Sequence, residues 1–93
     1  MVHNNLPVRL LFLSNMMAEK GVFVLLEACK LLKEKLLHFE CDFVGEWFDI
    51  SEEEFNRKVL RYNLTHHVFA YGGKYGKDKS PFFNQADIFV FPT

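Results

Sequence analysis

The sequence has little with which to staple, charge or anchor itself. Its 93 residues include only two cysteines, Cys29 and Cys41. A secreted domain of this size usually carries a denser disulfide framework, so a reducing compartment is expected. Neither sign of charge dominates: eleven Lys and Arg stand against twelve Asp and Glu, for a formal net charge of −1. With no charge block or tail, that balance excludes a basic field able to hold nucleic acid or an acidic membrane. Long apolar runs are missing as well. The longest early stretch, Leu6 to Leu13, contains Pro7 and Arg9 and is too short to cross a bilayer or to form the core of a signal sequence. The five glycines form neither a G-x-G-x-x-G fingerprint nor a Walker A loop. There is no internal repeat, low-complexity segment or linker. A chain this short hides only ~60–65% of its unfolded surface, enough for one modest core.

What is present is an order of elements. Val8-Arg9-Leu10-Leu11-Phe12-Leu13 is a near-continuous apolar run of strand length, as expected of a central strand covered on both faces. After the polar and small residues Ser14 to Gly21, Val22, Leu25, Leu26, Cys29, Leu32 and Leu36 recur at helical spacing. Lys30, Lys33 and Lys35 gather in the last turns of this helix, where cations suit the negative end of its dipole. Phe39, Cys41 and Phe43 alternate with Glu40 and Asp42, predicting a second strand with one face less buried than the first. Ser51 and Glu54 have the spacing of a capping box, which starts a helix over about Glu52 to Tyr62 with Phe55, Val59 and Tyr62 inward. Val68 to Tyr71 reads as a short third strand, ended by Gly72-Gly73. Ser80-Pro81 opens a short helix through Gln85, and Ile88 to Phe91 is a fourth strand closed by Pro92.

Strand and helix thus alternate three times before a bare strand. The expected fold class is α/β: a Rossmann-like half, a four-stranded parallel sheet of order 3-2-1-4 with three helices. The first two helices should cover one face of the sheet and the third the other. A domain of this kind ordinarily continues into a helix over its last strand, so residues 1–93 are expected to be a partial domain.

In an open parallel sheet, ligands bind beyond the carboxyl ends of the strands, near the point where strand order reverses. Three loops meet there. Ser14 to Gly21 precedes the long helix, whose free amides and positive dipole end suit a phosphate; Lys20 adds a charge and Gly21 permits close approach. The alternative for Lys20 is a solvated lysine beside a helix-starting glycine. The other two loops are Gly45-Glu46-Trp47-Phe48-Asp49 and Gly72-Gly73-Lys74-Tyr75-Gly76-Lys77. Their glycines expose backbone able to read a nucleobase edge, and Trp47 or Tyr75 could lie against its flat face, the alternative being ordinary surface or lid packing. The adjacent pair His66-His67 points in different directions and is a poor metal site. His3 and His38 have no partner at ligand spacing. Cys29 and Cys41 read as core thiols, and Glu52-Glu53-Glu54 as first-turn acids complementing the helix dipole.

The run Phe12-Leu13-Ser14-Asn15-Met16-Met17-Ala18-Glu19-Lys20-Gly21, followed by Leu25 to Ala28, resembles the opening of the nucleotide-sugar-binding domain of group 1 glycosyltransferases. This is the large retaining family with the two-domain GT-B fold. Phe43-Val44-Gly45, Val68-Phe69 ahead of Gly72, and Ala86-Asp87-Ile88-Phe89-Val90-Phe91-Pro92-Thr93 look like that family's next landmarks, in the right order. The resemblance covers nearly the whole chain. It implies that Lys20 holds the donor's diphosphate with Gly21 beside it, that Gly45 lies next to the nucleotide, and that the loop Gly72, Gly73 and Tyr75 surrounds the base. Two positions depart from the family pattern. Asn15 stands where many members have a second phosphate-binding arginine, and Ser14 where the turn is commonly glycine.

The same resemblance implies a parent enzyme that transfers a sugar from a nucleoside-diphosphate sugar to an acceptor whose identity the residues do not reveal. The family's paired glutamates follow the Pro-Ser/Thr landmark, and its acceptor domain precedes the first strand. This chain alone is therefore expected to be inactive, with no catalytic residue assigned. Neither a metal nor another cofactor is expected, since no D-x-D-like carboxylate pair sits at a strand end. A cytoplasmic location is expected, with the parent at the inner membrane surface as one option. Nucleic acid is not an expected partner, while self-association through the open edge strand is. The competing reading is a noncatalytic α/β nucleotide-binding or protein-interaction module.

Overall fold

A computed structural model describes residues 6–73 and 80–92, with the side chain of Ser80 excepted. Its elements run β1 (Val8–Leu13), a 3-10 turn (Ala18–Lys20), α1 (Val22–Glu34), β2 (Phe39–Val44), α2 (Glu52–Arg61), β3 (Val68–Gly72), α3 (Ser80–Gln85) and β4 (Ile88–Phe89). The four strands form one sheet in the order β3-β2-β1-β4, with every neighbouring pair parallel. This is the expected α/β class, a four-stranded parallel sheet of order 3-2-1-4 with three helices.

Alternation along β1 sorts the core into two layers. Leu10 and Phe12 point to one face, where they meet Val22, Leu25, Leu26 and Cys29 of α1 and Phe55 and Val59 of α2. Leu11 points to the other face, against Phe82 of α3 and Val44, with Leu13, Tyr71 and Ala86 around them. The first two helices therefore share one face and the third takes the other. Phe43 anchors the larger layer, with its ring 5.3 Å from Phe12 and 5.0 Å from Phe55. Cys29 and Cys41 are both buried free thiols in this layer. The hydrogen bond with Cys29, together with burial, pushes the Cys41 thiol far up from its ordinary range.

Contrary to expectation, the acids of β2 do not leave it less buried than β1. Cys41 to Val44 are all buried, and Asp42 is only 4% exposed. The reason lies on the adjacent strand. Arg9 places Nη1 2.7 Å from Glu40 Oε1 and Nη2 3.2 Å from Asp42 Oδ2, while the Tyr71 hydroxyl donates to Asp42 Oδ1 at 3.2 Å. A carboxylate satisfied from both sides can be covered, whereas a lone one cannot. Arg9 also ties the last strand to the sheet through its backbone. Its N–H donates to Asp87 Oδ2 at 2.9 Å and its carbonyl accepts from Asp87 N–H at 2.8 Å.

A helix end accounts for one further difference from the sequence pattern. The stripe of α1 stops short of Leu36, which is 91% exposed and has φ +60°. Leu37 N–H bonds to Leu32 C=O and Leu36 N–H to Lys33 C=O, the paired bonds of a Schellman ending. The same pair ends α2, from Leu64 to Val59 and from Asn63 to Leu60, with Asn63 at φ +57° and Leu64 fully buried as the accompanying apolar contact. Neither ending uses glycine; α2 ends where the sequence pattern placed it, at Tyr62 and ahead of Asn63. Tyr62 caps α2 and donates to Glu27 Oε1 at 2.6 Å, a bond that raises the Tyr62 pKa and clasps α2 to α1. The start of α2 is as expected, with Ser51 Oγ accepting from Glu54 N–H at 3.1 Å.

In the ladder, β4 is shorter than its apolar run, with only Ile88 and Phe89 paired to β1. Both are about half exposed on this edge. No helix among the described residues is long and apolar enough to cross a membrane.

Two stability predictions follow from these contacts. Asp42→Ala leaves Arg9 and the Tyr71 hydroxyl without their shared acceptor and is expected to cost about 2–3 kcal/mol in urea unfolding. Leu36→Gly relieves a left-handed β-carbon at an exposed site and is expected to stabilise by about 0.5–1 kcal/mol in the same assay. A loss of stability would show that the Leu36 side chain contributes packing.

Candidate functional site

A surface hollow of about 550 Å3 lies among Glu54, Arg57, Lys58, Leu60 and Arg61 on α2 alone. It is formed by side chains of one helix and receives no strand end, so size alone is a poor guide here. Two smaller cavities lie where the topology directs attention. One, of about 210 Å3, is lined by Phe12, Leu13, Ser14 and Lys20 from the β1 end and by Val90, Phe91 and Pro92 beyond β4. The strand order reverses between β1 and β4, so this cavity sits at the switch point of the sheet. The other, about 280 Å3, lies at the end of β3 among Trp47, Glu52, Ala70, Tyr71, Gly72 and Gly73.

Between the two cavities, the loops after β1, β2 and β3 are bound to one another by their backbones. Ser14 N–H donates to Val44 C=O at 3.1 Å and Met16 N–H to Glu46 C=O at 2.7 Å, while Gly45 N–H donates to Gly72 C=O at 3.2 Å. Met16 and Trp47 form a parallel bridge beyond the strands proper, and Ile50 N–H reaches Met16 C=O at 3.3 Å. Met16 and Ile50 are buried, which seals this junction from below. Asp49 Oδ1 accepts from Ala18 N–H at 3.0 Å.

Each residue singled out in the sequence takes a definite place. Lys20 is exposed, ends the 3-10 turn and borders the switch-point cavity together with half-buried Ser14. Asn15 is exposed beside them, and its carbonyl accepts from Met17 N–H at 2.9 Å. Gly21 is buried with φ +87°, so its glycine is required by the left-handed link between the 3-10 turn and α1. It caps α1 without a side-chain bond, leaving the helix start without a side-chain partner at that position. Gly45 is a glycine for packing: a β-carbon there would stand 1.7 Å from Ser14 O. Gly72 has φ +63° and lies against the Trp47 indole, and a β-carbon on Gly73 would meet Glu46 Cγ at 2.4 Å. Tyr75 lies outside the described residues, as do Lys74, Gly76 and Lys77.

Trp47 is half-buried, with its ring 5.5 Å from Phe55, so one edge serves the core while the indole borders the β3-end cavity. His67 is structural: Nδ1 lies 3.0 Å from Phe39 O, and the ring stacks on Phe39 at 4.6 Å. Asp49 carried no local signal, because its partner is 31 residues away. Chemically, the switch-point cavity is lined by a residue bearing an ammonium group and one bearing a hydroxyl, and the 13-residue α1 begins two residues beyond Lys20. Such a set favours an anion.

Compared with models of known families, the chain matches the one described as glycosyl transferases group 1, over residues 3–93. No curated protein and no solved structure matches it.

Because Gly45 abuts the Ser14 carbonyl, Gly45→Ala must push apart the loops that frame both cavities. The expected cost is about 3 kcal/mol or more, read as a lowered urea midpoint. A midpoint equal to wild type would mean that this junction yields freely.

Proposed function

The chain belongs to the group 1 glycosyl transferases, and on that premise we propose that it binds the donor for glycosyl transfer, a nucleoside-diphosphate sugar. The observation that carries this reading is the switch-point cavity bordered by Lys20 and Ser14 at the ends of β1 and β4. In the proposed complex, the Lys20 ammonium pairs with the diphosphate, the Ser14 hydroxyl donates to it, and the start of α1 contributes its dipole. Asn15 brings no charge, so Lys20 is the cation of this turn. The nucleoside extends past Gly45 toward the cavity at the end of β3, which Trp47, Gly72 and Gly73 help to line. Tyr75 is assigned to the base on the strength of its place in the following loop.

The reaction assigned to the donor is displacement of the nucleoside diphosphate by an acceptor hydroxyl: the bond from the anomeric carbon to the acceptor oxygen forms, its bond to the diphosphate oxygen breaks, and the hydroxyl proton leaves with the diphosphate. The leaving group carries negative charge as the bond breaks, and the proposed role of Lys20 is to stabilise that charge. The chemistry calls for no cofactor, since the donor brings its own leaving group. With two free cysteines buried in the core, the proposed setting is cytoplasmic.

Calorimetric titration with UDP, GDP and ADP tests the reading. At least one is expected to bind, and Lys20→Ala is expected to weaken that binding by about 1.5–3 kcal/mol, or roughly 10- to 150-fold, the scale of a charge-assisted hydrogen bond. Failure of all three to bind, or an affinity unchanged by Lys20→Ala, would overturn the proposal.

A further inference from the structure

Lys20 stands on a single 3-10 turn of three residues, Ala18–Lys20. So short a segment is poorly held by its own bonds, which here are Lys20 N–H to Met17 C=O and Gly21 N–H to Ala18 C=O, both 3.0 Å. Its own N-cap residue, Met17, offers no side-chain acceptor. The first amide of the turn, Ala18 N–H, is capped instead from a different loop by Asp49 Oδ1 at 3.0 Å. That loop is itself held fast. It follows the Met16–Trp47 bridge, and the next residue, Ile50, is buried and bonds back to Met16 C=O. Asp49 makes no ion pair with Lys20 among the described residues, so the ammonium remains available to a ligand.

We infer that Asp49 is a positioning residue for the anion site: it caps the Lys20 turn across the gap between the β1 and β2 loops and thereby sets where the ammonium stands. Its carboxylate acts through the backbone of Ala18 and does not touch the ligand. Rigidity passes from the buried Met16–Ile50 junction through Asp49 to the turn, and from the turn to Lys20. This inference rests on the diphosphate reading above.

The test is calorimetry of the full chain with inorganic pyrophosphate, and with whichever nucleoside diphosphate binds best. Asp49→Ala removes the cap and is expected to weaken both by about fivefold, the scale of a lost helix cap. Asp49→Asn keeps an acceptor oxygen and removes a negative charge, so its affinity is expected to equal or exceed that of wild type. A third variant removes the donor in place of the acceptor. Met17 has the extended conformation preferred before proline, φ −125° and ψ 137°, and Ala18 opens the turn, so Ala18→Pro is compatible with the local backbone. In an Ala18→Pro background, Asp49→Ala is expected to change binding by less than about twofold, because the bond it would break is already gone.

If Lys20→Ala weakens binding while Asp49→Ala does not, the role of Asp49 is overturned and the diphosphate reading stands. Equal losses in Asp49→Ala and Asp49→Asn, or a full loss persisting in the proline background, would also overturn it. If wild type binds neither probe, both the reading and the inference fall. Should Asp49→Ala not fold, Asp49→Ser takes its place, since its shorter hydroxyl stops short of the Ala18 amide, and the same outcomes decide.

Discussion

The close approach of two backbones, Ser14 against Gly45, is the constraint on which the carboxyl end of this molecule depends. Parallel strands usually diverge once their ladder ends, but here the loops after β1 and β2 stay in contact through Ser14, Met16 and Ile50. They can do so only because position 45 has no β-carbon to strike the Ser14 carbonyl. Gly45 in turn donates to Gly72, which draws the β3 loop into the same assembly. One missing methyl group thus holds three loops together, and both strand-end cavities open on their margins.

Beneath these loops, the sheet solves a different problem on each face. The face under α1 and α2 is apolar throughout and is closed by aromatic contacts among Phe12, Phe43, Phe55 and Trp47. The opposite face carries Arg9, Glu40 and Asp42 on neighbouring strands, with α3 packed over its carboxyl half. Burying Asp42 there requires both Arg9 and the Tyr71 hydroxyl. Polar pairing inside the sheet and apolar packing outside it are complementary, since the first specifies register and the second supplies most of the driving force.

Much of the fold was legible because hydrophobic period carries it. The apolar run of β1, the helical stripe Val22 to Cys29 and the Ser51 cap are local patterns, and each forms the element its pattern predicts. The errors have two causes: a partner distant in sequence that reversed a local signal, and a helix that ends in a left-handed residue other than glycine. Glu40 and Asp42 look solvent-bound until Arg9 is placed beside them. Leu36 continues the helical stripe until the backbone turns left-handed beneath it. The candidate site was legible to the extent of Lys20, Ser14 and the glycine loops. The roles of the glycines were not, because Gly21 serves a turn and Gly45 a contact, and the two look alike in one dimension.

By itself, then, the sequence determined the order of strands and helices, the parallel class of the sheet and the family to which the chain belongs, because periodicity, caps and landmark spacing are properties of neighbouring residues. Tertiary structure alone decided which acids were buried, why position 45 must be glycine, and that Asp49 holds the turn bearing Lys20. Each of these depends on atoms brought within a few ångströms of each other from segments about thirty residues apart. No local pattern can encode such a distance, and it exists only once the chain has closed on itself.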